Sequence, residues 1–171
     1  MGININESTV VKATVVFLPD ESGIEHFKDY YVGLAKSASA NQNNKEKFYF
    51  LREVLEGLKK IGKDELPKET NGSLEFDFEI NIDGKWVTRT LEIVKKLDKS
   101  IIYEIRVDIG TWYFRATFFP YYYGSELYHC VVYPFVKVPG YADPTNGFRD
   151  KTHDVYMDVR SNEGKYFNLV L

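Results

Sequence analysis

A single cysteine, Cys130, stands among 171 residues, so no internal disulfide can form. Its spacing from His26, His129 and His153 resembles no zinc site. Long apolar runs are also missing. None approaches the roughly 20 residues that span a bilayer, and the N-terminus lacks the basic-then-apolar pattern of a signal peptide. Nor is there an excess of cations: 22 Lys+Arg face 25 Asp+Glu, a formal net charge of −3, whereas nucleic-acid binders usually show a basic footprint in the total. No Gly-rich phosphate loop, HExxH or GxSxG motif occurs, which removes the standard catalytic constellations. The expectation from these absences is a reduced, cytoplasmic protein with no membrane segment. What the chain has in quantity is aromatic side chains, 13 Tyr and 12 Phe, within a 44% hydrophobic composition. That content argues against disorder, and the length suits one domain with its own core.

Residues 1–9 are polar and patternless. Residues 10–18 read VVKATVVFL, which predicts a strand buried on both faces. Pro19 ends it, and Asp20 or Ser22 is placed to cap the next element. Apolar residues then recur at three and four, from Ile24 through Phe27, Tyr31 and Leu34 to Ala38. This predicts a helix over residues 24–40. A second follows over 44–61, with Phe48, Leu51, Val54, Leu55 and Leu58 on one face and a stop at Gly62. The two should pack as an antiparallel hairpin.

From Leu74 to Ile82 apolar and acidic residues alternate, and Asp83-Gly84 is a strong two-residue hairpin signal. Three more strands are expected over 101–109, 112–122 and 126–138, forming a meander. Residues 145–160 predict a short helix, and the apolar tail 166–171 predicts a short edge strand. Segregated helices and strands of this kind indicate an α+β fold with a mainly antiparallel sheet.

The chemistry-bearing feature is a placement of cations. Strand alternation sets Glu104, Arg106 and Asp108 on one face and Tyr103, Ile105 and Val107 on the other. Arg106 can pair there with Glu104 or Asp108 on a wet sheet face. Arg115 lies among Trp112, Phe114, Phe118 and Phe119, and Lys137 ends an apolar strand. Cys130, within an apolar run, reads as a packed core thiol. The aromatic cluster of residues 112–133 reads as packing, with Tyr121, Tyr122 and Tyr123 its most exposed members. Aromatics on a sheet can also stack on unpaired bases.

These residues carry a resemblance. Glu104-Ile105-Arg106, then Tyr113-Phe114-Arg115 with Phe118-Phe119, then Phe135-Val136-Lys137 follow one another as in the RelE/HigB superfamily of bacterial toxins. The likeness is greatest to its phage-derived HigB-like branch, whose members tend to show an E-L-R strand, a Y-R-hydrophobic-x-aromatic strand and a strand ending F-x-K-K. The superfamily's order of a strand, a helical hairpin and a strand meander is similar too. Residues 73–93 then stand as an inserted hairpin, and the doubled lysine is reduced to Lys137-Val138.

The resemblance implies a RelE-like domain over residues 1–171 that acts as the toxin of a type II toxin–antitoxin system. Its activity would be that of a metal-independent endoribonuclease needing no cofactor. It would cleave mRNA on the ribosome, inhibit translation and be neutralised by a cognate antitoxin protein. By position it implies Arg106 and Arg115 as phosphate-stabilising arginines and Lys137 as the strand-end lysine. His153 and Tyr156 become candidates for acid–base work, and Arg149, Lys151, Lys95 and Lys96 for RNA contacts. Two alternatives stay open: a non-catalytic protein-interaction module on the same fold, of phage or mobile-element origin, and an unrelated α+β enzyme.

The net charge reads differently by segment. Residues 1–93 hold 12 Lys+Arg and 16 Asp+Glu, whereas residues 94–160, with every candidate site residue, hold nine and eight. The acidity belongs to the helices and the hairpin.

Overall fold

The strongest sequence signal, the alternation after Leu74, becomes a strand of ten residues. In a computed structural model that describes residues 2–4, 10–99 and 101–170, with residues 2–4, 169 and 170 as backbone only, seven strands form one sheet. They are β1 (Gly2–Asn4), β2 (Thr14–Phe17), β3 (Ser73–Ile82), β4 (Lys85–Lys96), β5 (Tyr103–Ile109), β6 (Trp112–Tyr123) and β7 (Glu126–Lys137). Four helices accompany them: α1 (His26–Ala38), α2 (Gln42–Leu58), α3 (Thr145–Ser161) and α4 (Glu163–Val170). The strand order is β1-β3-β4-β5-β6-β7-β2. Strands β3 to β7 run antiparallel in sequence, while β1 on β3 and β2 on β7 are parallel. The architecture is α+β with a mixed sheet.

The β3–β4 turn is closed by Asp83 at φ 53° and Gly84 at φ 81°, the pair of positive φ values that a type I′ turn requires. Phe76, Phe78, Ile80 and Ile82 point inward, and Glu75, Asp77, Glu79 and Asn81 point to water. The inward face of the sheet, with Ile105, Val107, Phe114 and Phe118, packs on Phe27, Leu51, Val54 and Leu58 of α1 and α2. Each such side chain contributes about 1.5–3 kcal/mol by leaving water. The opposite face is covered only in part: α3 and α4 lay Val155, Val159, Tyr166 and Phe167 over Phe119, Cys130 and Tyr128. Cys130 is fully buried, as its neighbours in sequence imply.

Four expectations change. Residues 10–18 do not form one doubly buried strand: Val10 and Val11 are more than 60% exposed, and only β2 pairs. The reason lies in the backbone, because the Lys12 and Ala13 N–H groups donate to the Lys59 carbonyl at 2.9 and 3.0 Å and leave the sheet. Neither Asp20 nor Ser22 caps α1, whose N-cap is Glu25. Asp20 instead gathers the Ser22 and Ile24 N–H groups and the His26 ring into the preceding loop.

The patternless N-terminus supplies β1, a parallel pairing with β3 over three residues, too short to show a period in sequence; residues 1 and 5–9 lie outside the described residues. The tail forms helix α4 rather than an edge strand, with Leu171 outside the described residues. Asp158 decides this. Its carboxylate accepts from Asn162 Nδ2 at 3.0 Å and Lys165 Nζ at 2.9 Å, and it also accepts from the Tyr166 hydroxyl. Phe167 then stacks on Tyr123 at 4.6 Å.

Candidate functional site

Where α3 stops covering the second sheet face, the strands present charge. The register sets Arg106 directly opposite Arg115, Glu104 opposite Thr117 and Lys95, and Tyr113 opposite both Asp108 and Lys137. Side chains alternate between faces along each strand. Lys95, Glu104, Arg106, Arg115 and Lys137 therefore converge on one patch drawn from four strands.

Two guanidinium groups on neighbouring strands repel, and carboxylates are threaded between them. Glu104 Oε1 lies 3.4 Å from Arg115 Nε and 3.7 Å from Arg106 Nε. Arg115 Nη1 also donates to Asp108 Oδ1 at 2.5 Å and to the Phe114 carbonyl at 2.8 Å, while Arg106 Nη1 pairs with Glu92. The result is an alternating row Glu92, Arg106, Glu104, Arg115, Asp108.

The row is partly sunk: Glu104 is 1% and Arg115 is 3% exposed. Taking such charges out of water costs several kcal/mol per ion, which only well-made pairing offsets. Pairing here is incomplete. Glu104 Oε2, Arg115 Nε and Arg106 Nε are buried without a hydrogen-bond partner. Buried polar groups are normally satisfied, so three orphans in one row mark a place shaped by something other than stability. Burial pushes the Glu104 carboxyl above its ordinary range, and Lys137, Arg115, Arg106 and Lys95 pull it back only in part.

Two hollows flank the row and share Lys137 and Asp143. One of about 300 Å³ is lined by Tyr113, Arg115, Lys137 and the chain from Val138 to Pro144. The other, of about 270 Å³, carries Glu104, Lys95 and Lys137 beside Asn71 and Asn146. The 138–144 segment is a fixed strap. Val138 to Tyr141 forms a turn closed by Tyr141 N–H to the Val138 carbonyl at 3.2 Å, with Pro139 at its second position and Gly140 at φ 87° at its third. That is a type II turn, which needs positive φ there.

Asp143 anchors the strap's far end. Its carboxylate accepts from the Thr145 N–H at 3.0 Å and hydroxyl at 2.6 Å, and pairs with Lys137 Nζ at 3.2 Å. Burial alone would raise its pKa, but Thr145 and Lys137 outweigh that and bring it down to about 2.

The remaining predicted residues lie elsewhere. His153 and Tyr156 sit on α3, where the Tyr156 ring packs 5.2 Å from Phe119 and the His153 ring 6.0 Å from Tyr156. Phe119 is four strand residues beyond Arg115, on the order of 13 Å along β6. Arg149 pairs with Asp98 and Asp150, and Lys151 lies 5.3 Å over the Phe148 ring. Lys96 is buried, its ammonium 5.7 Å from the Tyr103 ring centroid and turned to the Leu97 and Lys99 carbonyls. Lys95 is the one of the two that reaches the charged row's hollow. Tyr122 is half-exposed, whereas Tyr121 and Tyr123 stack on Phe167.

Sequence reasoning passed over Asp143 and Tyr141. Pro139-Gly140 and the Asp143-Pro144-Thr145 helix start were the available signals.

Among the described residues no group of His, Cys, Asp and Glu is arranged to hold a metal ion, and no helix is long and apolar enough to cross a membrane. Comparison of the chain with protein-family models, with curated proteins and with solved structures finds no match.

Proposed function

We propose that the chain is a ribonuclease toxin of the RelE/HigB type, cleaving mRNA on the ribosome and held in check by an antitoxin. The observation that supports this reading best is the convergence of Arg106, Arg115 and Lys137 from three successive strands beside the buried Glu104. Cleavage by the RNA's own 2′-hydroxyl builds negative charge on a pentacoordinate phosphorus. Arginine's fixed fork of donors matches phosphate oxygens, and a half-buried setting strengthens each contact. Glu104 is the titratable group in contact with both arginines. It is therefore better placed than His153 or Tyr156 to take the 2′-hydroxyl proton. Lys137, on the rim of both hollows, is placed to protonate the leaving oxygen.

Induced expression in a bacterial host tests the proposal. Wild type should arrest growth with cleaved ribosome-bound mRNA, and Arg106→Ala should relieve the arrest. Arg115→Ala would leave Glu104 buried with one cation fewer, a loss of about 3–5 kcal/mol, so Arg115→Lys, with a folding measurement, is the cleaner partner. Harmless expression with uncut mRNA would sink the nuclease.

One observation favours the second reading, a non-catalytic interaction module. Arg106, Arg115 and Lys137 are each already paired with a carboxylate, from Glu92, Glu104, Asp108 or Asp143. An RNA phosphate must displace those partners. Harmless expression together with capture of a specific protein partner would favour the module.

A further inference from the structure

Of the 13 tyrosines in the chain, eleven have a ring or cation contact. Tyr121 and Tyr123 stack on Phe167 and Tyr128 tilts against it, Tyr30 stacks on Phe114, and Tyr122 lies under Lys63. Among the described residues the two without such a contact are Tyr113 and Tyr141, and both line the 300 Å³ hollow beside Arg115 and Lys137. Tyr141 is 80% exposed, the most exposed of the large hydrophobic side chains in the described chain. An aromatic ring left in water forgoes the burial that ordinarily fixes such a residue. Here the ring is not on a loose end. The type II turn at Val138–Tyr141 and the Asp143 anchor hold the strap that carries it. Arg115, only 4% exposed at its side chain, lines the same hollow with Nε unpartnered.

The hollow thus joins two unstacked phenol rings, apolar lining from Val138, Pro139 and Pro144, and two cations. A flat ring that carries an anion a few ångströms away fits that combination. We propose that this hollow is a nucleobase subsite, in which an unpaired base of single-stranded RNA stacks on Tyr141 and Tyr113 while its phosphate meets Arg115 and Lys137. The inference rests on the reading above that these two cations meet RNA phosphate. Stacking of this kind needs an unstacked base and tolerates any of the four, because every base has a π-face. Duplex RNA keeps its bases paired and is refused.

The test is binding of a short fluorescent RNA, 2′-O-methylated so that it cannot be cleaved, to the full chain at low salt, where phosphate contacts are strongest. Three strands are compared: the single strand, the same strand with one abasic position at each site in turn, and the duplex. Tyr141→Ala should weaken the single strand about 5- to 100-fold, as one lost base stack does, and Tyr141→Phe should bind within about twofold of wild type. With the abasic strand that loses most, Tyr141→Ala should cost nothing further. Tyr141 is exposed, so a thermal melt should not move.

Equal binding by wild type and Tyr141→Ala overturns the subsite, as does an equal loss on intact and abasic strands, tight duplex binding, or no binding of the strand at all. The uncleavable strand separates the two readings. Tyr141-dependent binding without growth arrest leaves the subsite standing and the nuclease refuted. Growth arrest with Tyr141-independent binding does the reverse.

Discussion

Glu104 shows how one side chain sets the character of a site. Its carboxylate lies between Arg106 and Arg115, keeps them from repelling across adjacent strands, and has one oxygen with no partner. A leucine in its place would leave two guanidinium groups opposed, and a surface position would let water screen them. His129 is the contrasting case. It is fully buried, Nε2 shares a 2.8 Å hydrogen bond with the Ile61 carbonyl, and Nδ1 has no partner. Burial brings its pKa from 6.5 down to about 4, the carbonyl offsetting only part of this. Between those values the unfolded chain holds a proton that the folded one refuses, so His129 makes stability fall as pH falls through that window. Glu104, whose pKa is raised, contributes in the opposite sense: its share is present at low pH and lost as pH rises through its folded value. Denaturant melts from pH 7 to 4 should show wild type losing on the order of 3 kcal/mol relative to His129→Gln. A flat difference between the two would refute the assignment. The resemblance to the toxin superfamily singles out Arg106 and Arg115, whereas nothing in the sequence singles out Glu92, the carboxylate that pairs with Arg106. Glu92 reaches Arg106 from β4, across a pairing the sequence does not specify.

At the scale of elements, α4 is the informative one. Five apolar residues around Asn168 with no clear period fit a strand or a helix turn equally, and the choice fell to Asp158, which holds Lys165 and Tyr166 one turn beyond the end of α3. The helix then fills the second face with Tyr166 and Phe167, both wholly buried. Phe167→Ala should cost about 3–5 kcal/mol, seen as a lowered denaturation midpoint, and it should expose the face that Tyr121, Tyr123 and Tyr128 share. A loss below about 1 kcal/mol would mean that α4 does not close this core. The β3–β4 hairpin behaved in the opposite way. Strict alternation and Asp83-Gly84 specify its faces and its turn without any tertiary contact, because period two and positive φ are local properties. β2 lay between these cases: its β-branched residues announced a strand, but the Lys59 carbonyl, 47 residues beyond Lys12 in sequence, decided where pairing begins.

Across the whole molecule the charge distribution governs what can be bound. The net charge of −3 is spread so that residues 94–160, which supply all of the charged row but Glu92, are nearly neutral. The cations of this face available to a strand of RNA are therefore few: Lys95, and whichever of Lys137, Arg106 and Arg115 exchanges its carboxylate for phosphate. Counterion release from a single strand scales at about −0.7 per phosphate neutralised. The logarithm of affinity against the logarithm of salt should thus fall with a slope of roughly −2 to −3. A slope steeper than about −5 in salt titrations of the same fluorescent strand would show a basic footprint outside this face. The sequence by itself determined the α+β class, the helical hairpin, the strand meander and which face of β5 is charged, since all of these follow from local periodicity and turn chemistry. Only the tertiary structure decided that Arg106 faces Arg115 across a buried glutamate, that His153 and Tyr156 pack away from them, and that Tyr141 shares a hollow with Tyr113 and Arg115. Those facts depend on register and on chain crossings between distant segments, and no local pattern encodes them.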